Sequence, residues 1–475
     1  MFVKKLELLG YGPFRKATVN LWSEEIPDRK IAVLIGENGT GKSAVLEGLT
    51  TLLSWLPARI RSKKSDGSPI DELKIYTGLP YAEVTVTAKA RGGEYTWSLA
   101  KAAKGKRAKV ESSLKGVSSL ASELSASYTD NAKCSLPLIG YYPTERYVID
   151  IPHKIRTRHT FEQIDGYDGA LTRGIDFRRF FEWFRDREDT RNEGKIDLAE
   201  IFSFIDQERL ASFWKNQENK RAPFFEEIFS LLNEEKLKKY NISLYNRIQN
   251  RDMLLNDPQY FAVLHALKSF MPEYTGLRIE RRPRMRMLID KNGQSFNILQ
   301  LSQGERSLLA LVGDIARRLA IMNPGHETPL LGEGIVLIDE IDLHLHPRWQ
   351  RTIVRRLRET FPNCQFILTT HSPLVISDPD NVQVLALKAG EIRELPNLYG
   401  MDVEQVFLEI MDTSLRDPAL QEKIDALMDA IQEGNWGAAK ALRQELGTIL
   451  PSNHRELVRA DIFLRRQEVL HAKNH

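Results

Sequence analysis

Short apolar runs and helical apolar stripes alternate along much of this 475-residue chain. Residues 30–35 read Lys-Ile-Ala-Val-Leu-Ile, and a continuous apolar run of this kind is typical of a strand buried on both faces. Similar patterns predict further core strands at 136–142, 335–338, 365–369 and 382–387. Helical patterns at 304–322 and 347–361 separate the later strands, so the alternation predicts an α/β fold.

Other segments alternate between apolar and polar residues, as strands with one exposed face do. This pattern predicts strands at 3–9 and 15–21, and a hairpin over 81–99 that turns at Arg91-Gly92-Gly93. It returns over 277–289, before a turn at Lys291-Asn292-Gly293.

Two regions have helical rather than strand periodicity. Phe177, Phe180, Phe181 and Phe184 share one helix face in the middle of the chain, and they predict a compact helical insertion. The chain is again helical, and highly charged, from about Val403 onward. We therefore predict one α/β domain in two halves, 1–150 and 276–395. A helical insertion, 151–275, separates the halves, and a helical C-terminal region, 396–475, follows them.

The C-terminal helical region mixes dense charge with two groups of apolar positions. The first group is Val406, Phe407, Ile410 and Met411, and the second is Ile424, Leu427, Met428 and Ile431. Amphipathic helices of this kind serve assembly or partner docking, which is the role we predict. The alternative is a helical cap that packs on the chain's own α/β domain.

Composition limits the class of protein. The 67 basic and 64 acidic residues leave a net charge of only +3, which excludes a uniformly basic nucleic-acid coat. Cys134 and Cys364 are too few for a disulfide framework or a four-thiolate zinc site. Glu7 interrupts any N-terminal signal sequence, and no apolar run approaches the ~20 residues of a membrane span. We expect a cytoplasmic protein without a membrane partner.

A glycine-rich motif follows the strand predicted at 30–35. It matches G-x-x-x-x-G-K-[ST] in full and reads Gly36-Glu37-Asn38-Gly39-Thr40-Gly41-Lys42-Ser43. In such loops backbone N–H groups wrap phosphates, the lysine contacts the β- and γ-phosphate oxygens, and the hydroxyl reaches Mg²⁺. The flanking strand and helix make an accidental glycine turn a poor alternative.

Two acids, Asp339 and Glu340, end the strand predicted at 335–338. On a strand neighbouring the phosphate loop, the first carboxylate can hold the Mg²⁺ shell and the second can polarise the attacking water. The alternative is a surface acid pair that caps a loop.

Two further features are weaker when taken alone. Leu301-Ser302-Gln303-Gly304-Glu305 opens a helix with Ser302 at a plausible N-cap and with Gly304 permitting close backbone approach. It could be a phosphate cradle or an ordinary capped helix. His371 follows a buried strand and could be a functional or a purely structural histidine.

The order of these four motifs resembles the ATP-binding cassette (ABC) heads of the SMC and RecF-like ATPases. The segment from Asp339 to Gln350 is similar to bacterial AAA-type ATPases of anti-phage defence, such as the overlong nucleotide-binding domain (OLD) proteins and the Septu ATPase PtuA. The resemblance covers about 1–387 without the insertion. It implies an ABC-type P-loop ATPase head with a compact helical insertion.

The resemblance also implies roles for individual residues. Gly36 to Ser43 and Asp339 would bind ATP and Mg²⁺, Glu340 would polarise water, and His371 would sense the γ-phosphate. Ser302 and Gly304 would reach the nucleotide of the opposite subunit. The implied assembly is a head-to-tail homodimer, or a higher homo-oligomer, with composite ATP sites.

The sequence departs from the family pattern at two places. Transporter-type cassettes have an aspartate about where His346 falls, and Thr144-Glu145-Arg146 stands where a glutamine is usual. The roles of these residues stay open.

We predict an ATPase whose nucleotide state gates a partner effector in phage defence. No strand-borne acidic cluster for a nuclease follows His371, so we assign no nuclease site to this chain and expect the effector to be a separate protein. The resemblance to Septu-like systems implies that this effector is a nuclease, with the HNH type expected. The alternatives are a repair or recombination ATPase that acts directly on DNA, and an ATP-locked scaffold.

Direct DNA contact is possible through basic clusters at 59–64, 101–109 and 278–286. In the last cluster, Arg282, Arg284 and Arg286 would line one face of a strand. The alternative is solvated surface charge.

Overall fold

The computed structural model describes most of the chain: residues 1–106, 110–131, 133–145, 161–172, 175–193, 238, 257–396, 398–402, 405–406, 417–451 and 453–473. These residues belong to two compact units, Met1–Gly400 and Met401–His475. Much of the predicted insertion, 194–237 and 239–256, lies outside the described residues.

The strands of the described residues are β1 (Phe2–Tyr11), β2 (Phe14–Asn20), β3 (Ile31–Ile35), β4 (Tyr81–Ala90), β5 (Gly93–Ala102), β6 (Leu138–Tyr142), β7 (Tyr274–Glu280), β8 (Arg286–Lys291), β9 (Gln294–Asn297), β10 (Gly334–Ile338), β11 (Cys364–Thr369), β12 (Gln383–Lys388) and β13 (Glu391–Glu394). The helices are α1 (Lys42–Leu53), α2 (Trp55–Arg61), α3 (Lys115–Asp130), α4 (Phe177–Glu193), α5 (Pro258–Phe270), α6 (Gln303–Met322), α7 (Pro347–Thr360), α8 (Pro373–Ser377), α9 (Pro418–Gln432), α10 (Trp436–Ile449) and α11 (Arg455–Lys473).

A six-stranded sheet forms the centre of the first unit, with strand order β13-β12-β3-β11-β10-β6. Its strands are parallel except β13. Every residue of β3, β10 and β11 is buried, as their continuous apolar sequences require. The predicted α/β fold is confirmed.

A four-stranded antiparallel sheet, ordered β2-β1-β4-β5, accompanies the central sheet. Burial alternates strictly along β4, which means that one face packs inward. The β4–β5 hairpin turns at Arg91 and Gly92, both with positive φ, as the Arg-Gly-Gly sequence predicted.

A small antiparallel sheet, β7-β8-β9, contains the third basic cluster. The strand predicted over 277–289 is two strands, and Arg282 and Arg284 lie in the turn between them. Pro283 has no N–H for the strand ladder, so it interrupts the strand. Arg286 begins β8 and pairs with Glu280. The predicted arginine stripe along one strand is therefore wrong.

Helix α6 lies in the core and carries a buried ion network. Asp314 pairs with Arg317 at 2.6 Å and Arg318 at 2.7 Å, and the hydroxyl of Tyr142 donates to it at 3.1 Å. Burial alone would raise the pKa of Asp314, but the two guanidinium groups lower it. The network ties α6 to the end of β6.

The second unit has a core of its own, formed by α9, α10 and α11. Ile424, Leu427 and Ile431 are buried in that core, and Met428 packs against it. These residues of the predicted apolar stripe therefore belong to the core of this unit, and the docking role of the C-terminal region stays a prediction. Phe407, Ile410 and Met411 of the same prediction lie outside the described residues.

Within the described part of the chain, no helix is both long and apolar enough to cross a membrane.

Candidate nucleotide-binding site

The glycine-rich motif connects β3 to α1, as predicted. Gly36, Gly39 and Gly41 all have positive φ, at 149°, 82° and 104°. A Cβ at Gly36 would lie 2.4 Å from the carbonyl oxygen of Leu387, and one at Gly41 would lie 2.5 Å from the Phe14 ring. Both positions therefore require glycine for backbone conformation and for space.

The N-terminus of α1 is open to an anion. No side chain caps it, and no acid stands in its first turn. Its backbone N–H groups and its dipole therefore favour a phosphate there. The Lys42 side chain is only 6% exposed, and its Nζ donates to the carbonyl oxygens of Gly36 at 2.8 Å and Glu37 at 2.9 Å. The ammonium group thus lies over the loop, where phosphate oxygens would contact it.

The carboxyl ends of three parallel strands bring the motifs to one edge of the central sheet. Strand β3 leads to the glycine loop, β11 to His371, and β10 to Asp339 and Glu340. We expected the strand with the acid pair to neighbour β3, but β11 lies between them. The expectation was wrong because local sequence does not specify which parallel strands pair.

The charges at this edge interact. Burial lowers the pKa of Lys42, while the charges of Asp339, Glu340 and Asp342 act to raise it. These acids are therefore close enough to the phosphate-loop lysine to affect its ionisation.

Asp339 is 5% exposed and is held from two sides. Its Oδ1 accepts a hydrogen bond from the Thr369 hydroxyl at 2.5 Å, and its Oδ2 accepts one from the Thr144 hydroxyl at 3.3 Å. Thr144 stands where the family has glutamine, and it contacts the predicted Mg²⁺ ligand directly.

Glu340 has a positive φ of 47°, and its N–H donates to the Thr369 hydroxyl at 2.7 Å. A non-glycine residue in this conformation is sterically strained and needs support from its surroundings. Thr369 supplies part of that support through its hydrogen bond to the Glu340 backbone.

Sequence reasoning missed Asp342, which organises the segment around His371. Its Oδ1 accepts from the Thr370 hydroxyl at 2.5 Å and from the backbone N–H of His371 at 3.4 Å. Gln350 Nε2 donates to the Asp342 carbonyl oxygen at 3.2 Å, and Gln350 Oε1 accepts from the Ser372 hydroxyl at 2.9 Å. The available signal was the acid three residues after Asp339, opposite two consecutive threonines.

Ser302 is the N-cap of α6 and is exposed. It forms a capping box with Glu305: its N–H donates to Glu305 Oε2 at 2.7 Å, and its Oγ accepts from the Glu305 N–H at 3.4 Å. Glu305 also accepts from Lys291 Nζ at 2.6 Å and from the Tyr274 hydroxyl. Burial alone would raise the pKa of Glu305, but these donors hold it at about 2. The small sheet thereby anchors the start of α6.

Gly304 is buried against its own chain. A Cβ there would lie 2.2 Å from the carbonyl oxygen of His344, whose own φ is 62°. The close approach predicted for Gly304 therefore involves the loop after Glu340. His346, the residue whose role was open, caps α7: its Nδ1 accepts from the Arg348 N–H at 3.3 Å.

Family models match two stretches of the chain. Residues 128–377 match "AAA domain, putative AbiEii toxin, Type IV TA system", and residues 1–118 match "AAA domain".

Three curated proteins are similar to this chain. The Retron Ec83 probable ATPase of Escherichia coli is 34% identical over 403 residues, 81% of this chain and 72% of that protein. The Retron Vc95 probable ATPase of Vibrio cholerae serotype O1 biovar El Tor is 34% identical over 442 residues, 90% of this chain and 82% of that protein. The Septu protein PtuA of Bacillus mycoides strain KBAB4 is 41% identical over 135 residues, 26% of this chain and 18% of that protein.

Among solved structures, the Smc head domain of Pyrococcus furiosus, with an extended coiled coil and bound to the C-terminal domain of ScpA, aligns with 83% of this chain and 96% of that chain. The alignment has 15% identity and a TM-score of 0.41. The predicted place among AAA-type defence ATPases is confirmed by the curated relatives, with the Septu match limited to about a quarter of the chain. This chain belongs to the family of AAA-type ATPases that includes the retron probable ATPases.

Proposed function

We propose that this protein hydrolyses ATP at composite sites of a head-to-tail homodimer, and that its nucleotide state gates a partner nuclease in anti-phage defence. One observation supports the ATPase activity above all. The phosphate loop, the acid pair Asp339 and Glu340, and His371 follow three adjacent strands at the same edge of the central sheet. The family supports the same chemistry.

In this proposal, the loop from Gly36 to Ser43 binds the phosphates. The uncapped N-terminus of α1 presents backbone N–H groups to the phosphates. Lys42 exchanges its bonds to the Gly36 and Glu37 carbonyl oxygens for bonds to phosphate oxygens. Glu37, Asn38, Gly39 and Thr40 shape the loop, in which the Thr40 hydroxyl donates to the Glu37 carbonyl oxygen at 2.9 Å.

The donor atoms present fit Mg²⁺, because this ion prefers oxygen ligands and is usually held by only one or two protein side chains. The Ser43 hydroxyl is at the exposed start of α1, and Asp339 supplies a carboxylate at the end of β10. Ser43 and Asp339 would hold the ion. Bound there, Mg²⁺ would neutralise charge on the β- and γ-phosphates.

Glu340 is the proposed general base. Its carboxylate would accept the proton of the attacking water and orient that water towards the γ-phosphate. His371 follows β11, between the loop strand and the acid strand, and its backbone is fixed by Asp342. From this position its side chain would contact the γ-phosphate.

Ser302 and Gly304 complete the site in trans in this proposal. Ser302 is exposed at the start of α6, and its hydroxyl accepts a hydrogen bond from the Glu305 N–H. An exposed helix start with a hydroxyl and N–H groups can contact the phosphate of a second subunit. Gly304 keeps this helix start against the His344 loop of its own chain.

The gated effector is proposed to be a nuclease, with the HNH type as first candidate. The retron and Septu relatives support a role in anti-phage defence. The second unit has its own core and can present a surface to an effector.

Mixing two inactive variants tests the composite sites. Lys42→Ala removes the phosphate contact, and Ser302→Arg blocks the helix start with a large cation. Each variant alone should be inactive, while a mixture should recover part of the activity because one site per mixed dimer has both halves intact. The control is a tagged pull-down that shows subunit exchange. Exchange without recovered turnover would overturn the composite-site proposal.

A further inference from the structure

The three-helix unit buries one face of α11 and exposes another. Leu457, Ala460 and Leu464 of α11 lie in the unit's core. The opposite face of this helix is not part of that core.

The exposed face has an unusual composition. Between residues 455 and 466, each exposed residue of α11 is either an arginine or an apolar residue: Arg455, Val458, Arg459, Ile462, Phe463, Arg465 and Arg466. Ile462 is 61% exposed, Val458 43% and Phe463 38%. We call these seven residues the α11 face.

The two acids of this stretch, Glu456 and Asp461, are both half-buried. Asp461 is half-buried and pairs with Arg443 of α10, at 2.6 and 2.7 Å through both carboxylate oxygens. The Arg443 hydrogen bonds lower the pKa of Asp461, and the charge of Arg465 also acts to lower it. The α11 face thus presents four cations and no exposed carboxylate within 455–466.

The spacing makes the apolar part continuous. Val458 and Ile462 are four residues apart and lie one above the other on the helix surface, with Arg455, Arg459 and Arg466 beside them. The seven residues of the α11 face span twelve helix positions, 455–466, and therefore about 16 Å or three helical turns.

The composition of the α11 face indicates which kind of partner it would bind. A second copy of the α11 face would bring four arginines against four arginines, and such like-charge contact is repulsive. A nucleic acid would use the arginines but would leave the apolar stripe without a partner. Protein interfaces combine arginine with large apolar residues at their centres, and they contain few lysines.

We propose that the α11 face docks an amphipathic segment of the effector protein, with apolar residues along its centre and aspartate or glutamate at its edges. This inference rests on the proposed gating of an effector, and it adds the docking surface and the chemistry of the partner. Charge complementarity carries it: four exposed cations around three exposed apolar side chains match an acidic rim around an apolar stripe.

The experiment co-expresses the full chain with each protein encoded by the genes that flank its own gene. Two variants test the α11 face: Ile462→Asp removes the apolar centre, and Arg459→Glu with Arg466→Glu reverses the rim. Lys440→Glu, on an exposed position of α10, is the matched charge control. Circular dichroism verifies folding, and ATP turnover is measured for each variant.

We expect a flanking-gene protein to co-purify with the wild type and with Lys440→Glu. Both α11-face variants should lower its affinity at least tenfold without changing ATP turnover. Undiminished binding by both variants, or a wild type that retains none of these proteins, would overturn the proposal. So would loss of ATP binding in folded Ile462→Asp, because the α11 face would then serve its own chain.

The same variants distinguish a nucleic acid from a protein as the partner of the α11 face. If the arginine reversal abolished binding of a DNA or RNA oligonucleotide while Ile462→Asp left both oligonucleotide and protein binding intact, the protein-docking proposal would be wrong. The wild type could also bind its partner as expected and yet show no ATP turnover. That result would refute the ATPase function but not the docking surface.

Discussion

Thr369 donates a hydrogen bond of 2.5 Å from its hydroxyl to Oδ1 of Asp339. The same hydroxyl accepts the N–H of Glu340 at 2.7 Å. One side chain at the end of β11 therefore positions both acids that follow β10. The two strands are parallel neighbours, so this contact also fixes the relation between the acid pair and His371.

Thr369→Val should lower ATP turnover about tenfold or more, since a hydrogen bond to a charged group contributes about 1.5–3 kcal/mol. Valine keeps the shape but leaves the Asp339 carboxylate and the Glu340 N–H without this partner. Thr369→Ser, which keeps the hydroxyl, is the control and should stay near wild type. Steady-state turnover at saturating ATP and Mg²⁺ measures both, and a wild-type rate in the valine variant would exclude this positioning role.

Glu340→Gln should bind ATP normally and lose turnover by ~10²-fold or more, the usual contribution of a general base. The amide preserves shape but cannot take the proton of the attacking water. Calorimetry gives the ATP affinity, and single-turnover hydrolysis gives the rate. An unchanged kcat would remove Glu340 from the mechanism.

The local patterns predicted most elements because buried strands and amphipathic helices leave their periodicity in the sequence. The continuous apolar runs predicted β3, β10 and β11 to within a residue at each end. The Arg91-Gly92 turn was equally readable, because its backbone conformation favours glycine.

Contacts between distant segments were not readable in the same way. Nothing local to β10 shows that β11, and not β10, pairs with β3. In the sequence, Thr369 is an ordinary strand residue. Its hydroxyl gains a role only because the neighbouring strand places Asp339 beside it. Similarly, the stripe of Ile424, Leu427 and Ile431 showed that a face is buried but not which partner buries it.

Glu305 should make the stability of the first unit depend on pH. Its folded-state pKa of about 2 lies below the ordinary value of 4.5. Ionised Glu305 therefore stabilises the fold fully above about pH 5. This contribution is lost progressively as the pH falls from 4.5 towards 2.

Glu305→Gln should thus unfold at lower urea concentration at pH 7, and it should lose less stability than the wild type between pH 5.5 and pH 3.5. Glu391→Gln, in an exposed ion pair with Arg393, is the control and should follow the wild type. Urea unfolding at the two pH values measures the difference. Equal pH dependence in Glu305→Gln and the wild type would contradict the role assigned to this carboxylate.

Gly304→Ala should destabilise the protein although it replaces a helical glycine. Alanine normally stabilises a helix interior by about 1 kcal/mol relative to glycine. At Gly304, however, the new Cβ would lie 2.2 Å from the His344 carbonyl oxygen, a backbone atom that cannot rotate away. Overpacking of this kind costs about 1–3 kcal/mol, so the expected net change is a loss.

Gly437→Ala is the matched control, because the nearest heavy atom to its Cβ, outside its own neighbours, lies 4.0 Å away. This variant should be neutral or slightly more stable. Thermal unfolding followed by circular dichroism compares the two. Gly304→Ala should also turn over ATP more slowly, since displacement of the α6 start from the His344 loop moves Ser302. A Gly304→Ala protein as stable and as active as Gly437→Ala would show that this contact does not position the helix.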